Sequence, residues 1–294
     1  MKLGPVTLPA MQPSQRHLQW QPQWQPQWQP MFRRIWGLMY RHLALYRRSW
    51  PRLLELMYWP ILQMCIWGFT ARFLATRMGG NPAIMAGGLL LSGVLLWEVT
   101  LRSQMGMSIS FLEEMWSRNL GHVFVSPLRP FEMIAALIAM SVIRMLTGVL
   151  PAILLAWAFY AFNLFSLGPV LVLFFVNLMI FGWSIALGVV SLVLRHGAGA
   201  EPLAWGILFG LAPFSAVFYP VSVLPAALQP LALMLPTTHV FEGMRAVLMH
   251  GTVRWDHLAA AFALNLVWIA GAALLFARQF HQARVRGALM SIGE

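Results

Sequence analysis

Residues 113–132 read EEMWSRNLGHVFVSPLRPFE. The stretch is a polar island. It carries Glu113, Glu114 and Glu132 of the chain's nine carboxylates, with Arg118, Arg129, Pro127 and Pro130. On both sides the sequence turns apolar over long distances: residues 78–97, 145–194, 203–241 and 258–277 hold no formal charge. A helix needs roughly 20 apolar residues to cross a bilayer. The whole chain is 59% hydrophobic and 10% charged, with a mean hydropathy of +0.68; an ordinary soluble domain carries about 25% charged residues. The island is therefore a loop between membrane helices, and the expected fold class is an all-α membrane protein.

Outward from the island, apolarity predicts six transmembrane helices. Upstream lie a second span over about 83–110 and a first over about 53–75. The second contains Glu98 and Arg102, spaced i, i+4 with the acid first, the favoured order for a helical ion pair. Residues 31–52 read as an N-terminal amphipathic interfacial helix. Phe32, Ile35, Met39, Leu43, Tyr46 and Trp50 recur every three or four residues, arginines occupy other positions, and Pro51 follows. Residues 1–30 form a Gln/Pro/Trp-rich tail with a repeated Gln-Pro-Gln-Trp, expected to be disordered. Downstream, a third span runs over about 131–162 with Arg144 inside it, and a fourth over about 170–194. Residues 203–241 are too long for one crossing and carry five prolines. They read as a fifth span to about 219, then short re-entrant helices within an outer segment, 220–245. The sixth span is about 258–277.

Charge sets the expected orientation. The net charge is +11 and the only lysine is Lys2. Six spans place Lys2, Arg16, the arginines of 33–52, Arg118, Arg129, Arg195, Arg278, Arg284 and Arg286 on the side of the termini. Arg72, Arg77, Arg245 and Arg254 fall opposite. Positive charge concentrates on the cytoplasmic side, so both termini and the island are expected in the cytoplasm of a cell whose inner (plasma) membrane holds the protein. The arginines flank apolar spans, which points to headgroups of the bilayer and not to nucleic acid. Cys65 stands alone, so no internal disulfide forms. A phosphate-binding P-loop needs a lysine, and none follows position 2. If ATP drives this protein, a separate polypeptide binds it.

Three features together resemble the permease subunit of type-2 ATP-binding-cassette exporters, a group serving polysaccharides, nodulation lipo-oligosaccharides and drugs. They are the inner loop (Glu113-Glu114, Asn119-Leu120, then Ser126-Pro127-Leu128-x-Pro130-x-Glu132), the outer segment (Tyr219-Pro220, Leu224-Pro225, Pro236-Thr237-Thr238-His239, Glu242-x-x-Arg245) and the amphipathic helix before six spans. Trp116-Ser117-Arg118 departs from the more acidic or glycine-containing run expected there. The resemblance implies a dimer of permeases, a homodimer by default, above two ATP-binding-cassette ATPase subunits. ATP and Mg sit on that partner, and this chain binds no cofactor of its own. It also implies that residues 112–132 couple to the ATPase, through Glu113, Glu114, Trp116, Arg118, Asn119, Leu120, Ser126, Pro127 and Leu128. Trp116, Leu120 and Phe124 fall at helical spacing as an apolar anchor, with Glu113, Glu114 and Arg118 as a polar rim.

Charges within spans are functional candidates by default. Glu98, Arg102 and Arg144 are thus candidates for a substrate pathway, set against the plainer reading of internal ion pairs. Tyr219, Pro220, His239, Glu242 and Arg245 are candidates for an outer gate, set against helix-end contacts. His250 and His257 have no companion carboxylate or cysteine at a convincing metal spacing, so no metal site is expected. An ion-coupled secondary transporter is the alternative; it would need a midplane acid, and Glu98, its main candidate, has Arg102 beside it. An intramembrane enzyme would need clustered polar groups that the spans lack.

Overall fold

The computed structural model describes residues 28–78, 80–121 and 128–285. Nine α-helices are described: α1 (Trp28–Arg48), α2 (Trp50–Met78), α3 (Gly80–Trp116), α4 (Pro130–Tyr160), α5 (Val170–His196), α6 (Leu203–Leu211), α7 (Gln229–Leu233), α8 (Pro236–His250) and α9 (Trp255–Val285). Among the described residues there is no strand.

Among the described residues three helical segments are long and apolar enough to cross a membrane: Pro130–Tyr160, Val170–Ala200 and Trp255–Val285. α2 and α3, of 29 and 37 residues, also have the length to cross, at 1.5 Å per residue. The expected fifth span differs. α6 stops at Leu211 and a 3-10 turn covers Ala212–Phe214. Together these form a helical segment of roughly 18–20 Å, short of the roughly 30 Å hydrocarbon core. Pro213 lies in that turn, and Ala216 follows at φ 52°. Short helices do occupy the outer segment: a 3-10 turn at Val221–Val223, α7 and α8.

α3 is the central post, packed on α2, α4 and α5, while α9 lies along α5 and α8. Small residues let these helices approach closely. A Cβ on Gly182 of α5 would meet the Thr100 carbonyl of α3 at 2.8 Å, and one on Gly106 of α3 would meet Ser141 of α4 at 3.0 Å. Asn265 of α9 donates to Asn177 of α5 at 2.9 Å inside the bundle, a polar tie where no water competes.

α1 is joined to α2 across a single non-helical residue, Ser49, with Pro51 in the first turn of α2, where its missing N–H costs nothing. The buried positions of α1 are Leu38, His42 and Tyr46. This stripe faces α4 and the end of α3. Of the apolar stripe expected from sequence, Phe32 and Trp50 are exposed, at 59% and 69%.

Candidate functional site

The polar island folds inward more than outward. α3 runs to Trp116 and ends in a tight turn: Ser117 N–H donates to Glu113 O, and Asn119 N–H to Glu114 O. Arg118 takes a left-handed φ of 53°, a terminus that glycine would fill more cheaply. The turn leaves Trp116, Ser117 and Arg118 exposed, with Asn119 half-buried. Trp116 Nε1 donates to Glu201 Oε2 at 3.1 Å, tying this corner to the loop before α6. Leu120 is 3% exposed, within a core cluster that includes Leu38, Leu112 and Met133. It serves this chain's own packing and is not offered to a partner as an anchor. Phe124, Ser126 and Pro127 lie outside the described residues. Leu128 is half-buried and Arg129 exposed.

The three carboxylates of the island meet basic groups of their own chain. Glu114 is 3% exposed; Arg41 Nη1 and Asn119 Nδ2 donate to its Oε2, each at 2.6 Å. Glu132 is fully buried and accepts from Arg34 Nε and from the Arg129 N–H, each at 2.9 Å. Glu113 accepts from Arg144 Nη2 at 2.8 Å. His42 lies between two of them, Nδ1 3.4 Å from Glu113 and Nε2 3.4 Å from Glu114, close in charge but not aligned as hydrogen bonds. Glu113 lies in the last turn of α3, beyond its apolar stretch. Burial there works to raise its pKa, but His42 and Arg144 outweigh it and hold the carboxyl below its ordinary value. The polar rim expected at Glu113 and Glu114 is thus an internal clamp between α1 and the ends of α3 and α4. The sequence carried a signal for it that periodicity alone missed: Arg34, Arg41 and His42 stand on the side of α1 that Leu38 and Tyr46 also mark.

A cavity of about 520 Å³ opens beside the clamp. Three helical stripes form it. α2 contributes Arg52, Glu55, Leu56, Trp59 and Gln63; α3 contributes Glu98, Leu101, Arg102, Met105 and Ile109; α6 contributes Trp205 and Phe209. The spacings are those of one helical face. Glu98 and Arg102 pair at 3.1 Å, both largely buried. Arg144 is 2% exposed, lies 5.0 Å over the Tyr46 ring and reaches the cavity wall with Glu113. Glu98, Arg102 and Arg144, the three charges expected within spans, therefore share one cavity, and each is also ion-paired.

Of the outer-gate candidates, Glu242 and Arg245 pair with each other, Arg245 Nε donating to Glu242 Oε2 at 3.4 Å, while Tyr219 and His239 are held by other residues. Tyr219 Oη donates to Pro213 O at 2.6 Å. Glu242 Oε1 accepts the Val221 N–H at 2.8 Å, which pins the residue after Pro220 to α8. Arg245 Nη2 lies 3.1 Å from the same carboxylate, although not in hydrogen-bond alignment. His239 joins Leu233 O through Nε2 at 3.0 Å and meets His257 Nδ1 through its own Nδ1 at 3.2 Å. Among the described residues no group of three or more His, Cys, Asp or Glu is placed to hold a metal ion.

The cavity and the polar clamp lie in a bundle that also holds three helices long and apolar enough to cross a membrane, among the described residues. The sequence matches the ABC-2 type transporter family over residues 33–249. The chain belongs to that family: it is a membrane-embedded permease of the ATP-binding-cassette class, and an ATP-binding-cassette ATPase is its implied partner. A search of curated proteins found no match.

Proposed function

We propose that this chain is the transmembrane subunit of an ATP-driven exporter. It moves a lipid-like, glycolipid, polysaccharide or drug substrate outward from the cytoplasm or inner leaflet. It works as a homodimer above two ATPase subunits, which carry ATP and Mg. Both termini and the island face the cytoplasm, at the inner membrane, and α1 lies in the headgroup plane.

The observation that carries this reading is the clamp itself. The exposed corner at Trp116–Arg118 and Arg129 is continuous with buried ion pairs to α1, α3 and α4. A push on that corner by an ATPase reaches the base of α3, and Arg102 and Glu98 lie three and four turns further along it. Rigid helices with few alternatives transmit such displacement well. Trp116, Arg118 and Arg129 are the groups that meet the ATPase, with Asn119 and Leu128 beside them. Glu113, Glu114, Glu132 and Leu120 hold the corner in place.

The test is purification of the chain with a C-terminal tag from native membranes. An ATPase with a Walker motif in equal amount is expected, with its hydrolysis altered by Trp116→Ala or Arg118→Glu. Reproducible recovery of folded permease with no ATPase would overturn the proposal.

A further inference from the structure

The cavity beside the clamp has an unusual charge inventory. Its wall holds three arginines, Arg52, Arg102 and Arg144, and three glutamates, Glu55, Glu98 and Glu113. The formal sum is zero, but the groups are not equally occupied. Arg144 is committed to Glu113 at 2.8 Å. Arg102 reaches Glu98 through Nε, at 3.1 Å, and among the described residues both terminal nitrogens of its fork have no acceptor. Arg52 touches Glu113 only at 3.5 Å, at the exposed side. Glu55 is exposed, and among the described residues it has neither hydrogen bond nor ion pair. Unspent donors of two guanidinium groups thus line the same cavity as one unspent carboxylate. Trp59 and Trp205 also stand on its wall, each with an apolar ring and an N–H donor.

Guanidinium forks match phosphate oxygens in geometry. A carboxylate beside an indole face suits an ammonium group. A purely anionic headgroup would face Glu55 unpaired, and a purely cationic one would face Arg52 and Arg102. We propose that this cavity binds an amphiphile with a zwitterionic phosphate-plus-ammonium headgroup. The phosphate lies at Arg102 and Arg52, the ammonium at Glu55 and Trp59, and the tail runs along the apolar faces of α2 and α6. The volume is within the usual range for a small-ligand site, about 300–1,000 Å³. The inference deepens the exporter reading by naming a class of cargo headgroup, and as a statement about cargo it rests on that reading.

The experiment is native mass spectrometry of the full chain in detergent with three matched-acyl lipids: phosphatidylethanolamine, phosphatidylglycerol and diacylglycerol. Loss of one charge-assisted hydrogen bond corresponds to about tenfold in affinity. Phosphatidylethanolamine should bind about tenfold tighter than phosphatidylglycerol, and diacylglycerol weakest. Glu55→Gln should erase the preference between the two phospholipids. The double variant Glu98→Gln/Arg102→Gln, which strands no buried charge, should weaken both. Soluble glycerophosphoethanolamine should compete at the site if the headgroup is what is read. Equal or tighter binding of phosphatidylglycerol, an unchanged preference in Glu55→Gln, or failure of the soluble headgroup to compete would each overturn the proposal. The assay needs no ATPase. Failure here beside a co-purifying ATPase would remove only the headgroup assignment, and binding without any ATPase would remove only the exporter reading.

Discussion

Arg118 turns the corner after α3 with φ 53°, a conformation that costs a side-chain-bearing residue roughly 1 kcal/mol. Arg118→Gly should therefore hold or raise the melting temperature of the purified chain slightly, while removing a charge from the exposed corner. A fall in melting temperature would show that the Arg118 side chain is itself structural. Arg144 poses the opposite case. It is buried against Glu113, Gly106 O and the Tyr46 ring. Breaking one partner of a buried pair costs about 3–5 kcal/mol, because a charge is left unpaired. Glu113→Ala and Arg144→Ala should each destabilise by that order, and the double variant by less than the sum. Strict additivity in a thermal double-mutant cycle would refute the pairing. Glu113 also predicts a pH response. Its folded pKa is depressed, so its contribution is present above the unfolded value, about 4.3, and is lost as pH falls through the lower folded value. Hydrogen exchange in α1 should rise below about pH 4 in the native chain, with a smaller change in Glu113→Gln.

At the scale of elements, α1 is the part whose role changed between sequence and structure. Its amphipathic period and its arginines were legible, and so was the break near Pro51. What could not be read was that Arg34 and Arg41 turn toward Glu132 and Glu114, roughly seventy to a hundred residues away. Local periodicity carries no information about partners that distant. Arg34→Ala/Arg41→Ala should loosen α1 from α3 and α4, seen as faster protease cleavage near residues 48–52, with α5 and α9 unaffected. Helix packing gives a second prediction. Gly182→Ala would push a methyl into the Thr100 carbonyl, and overpacking of that kind costs about 1–3 kcal/mol. Gly271, with open space around its Cβ position, should accept alanine at no such cost; equal losses at both sites would argue against the close α3–α5 approach.

At the scale of the molecule, α3 runs along the cavity wall down to the exposed corner, and the cavity reaches that corner at Glu113 and Trp116. α3 carries Glu98 and Arg102 in its middle and Glu113, Glu114 and Trp116 at its end. A variant that loosens the clamp beneath the corner should still bind the ATPase and the lipid yet couple them less well. Replacing His42 by leucine removes the group lying between Glu113 and Glu114. ATPase co-purification and lipid binding should persist, while stimulation of hydrolysis by the lipid should fall. Full stimulation in that variant would place the coupling elsewhere.

The sequence by itself determined the membrane class, the helical content, the polar island and the resemblance to an exporter permease. Each depends on composition, period or local order, which a linear chain displays directly. The i, i+4 pair of Glu98 and Arg102 was legible for the same reason. Only the tertiary structure decided which charges are spent and which are free. It set Glu114 and Glu132 facing inward, closed Glu113 onto Arg144, shortened the expected fifth span at Pro213, and put an exposed Glu55 on a cavity wall. Those outcomes depend on which helix faces meet, a matter of packing between residues far apart in the chain.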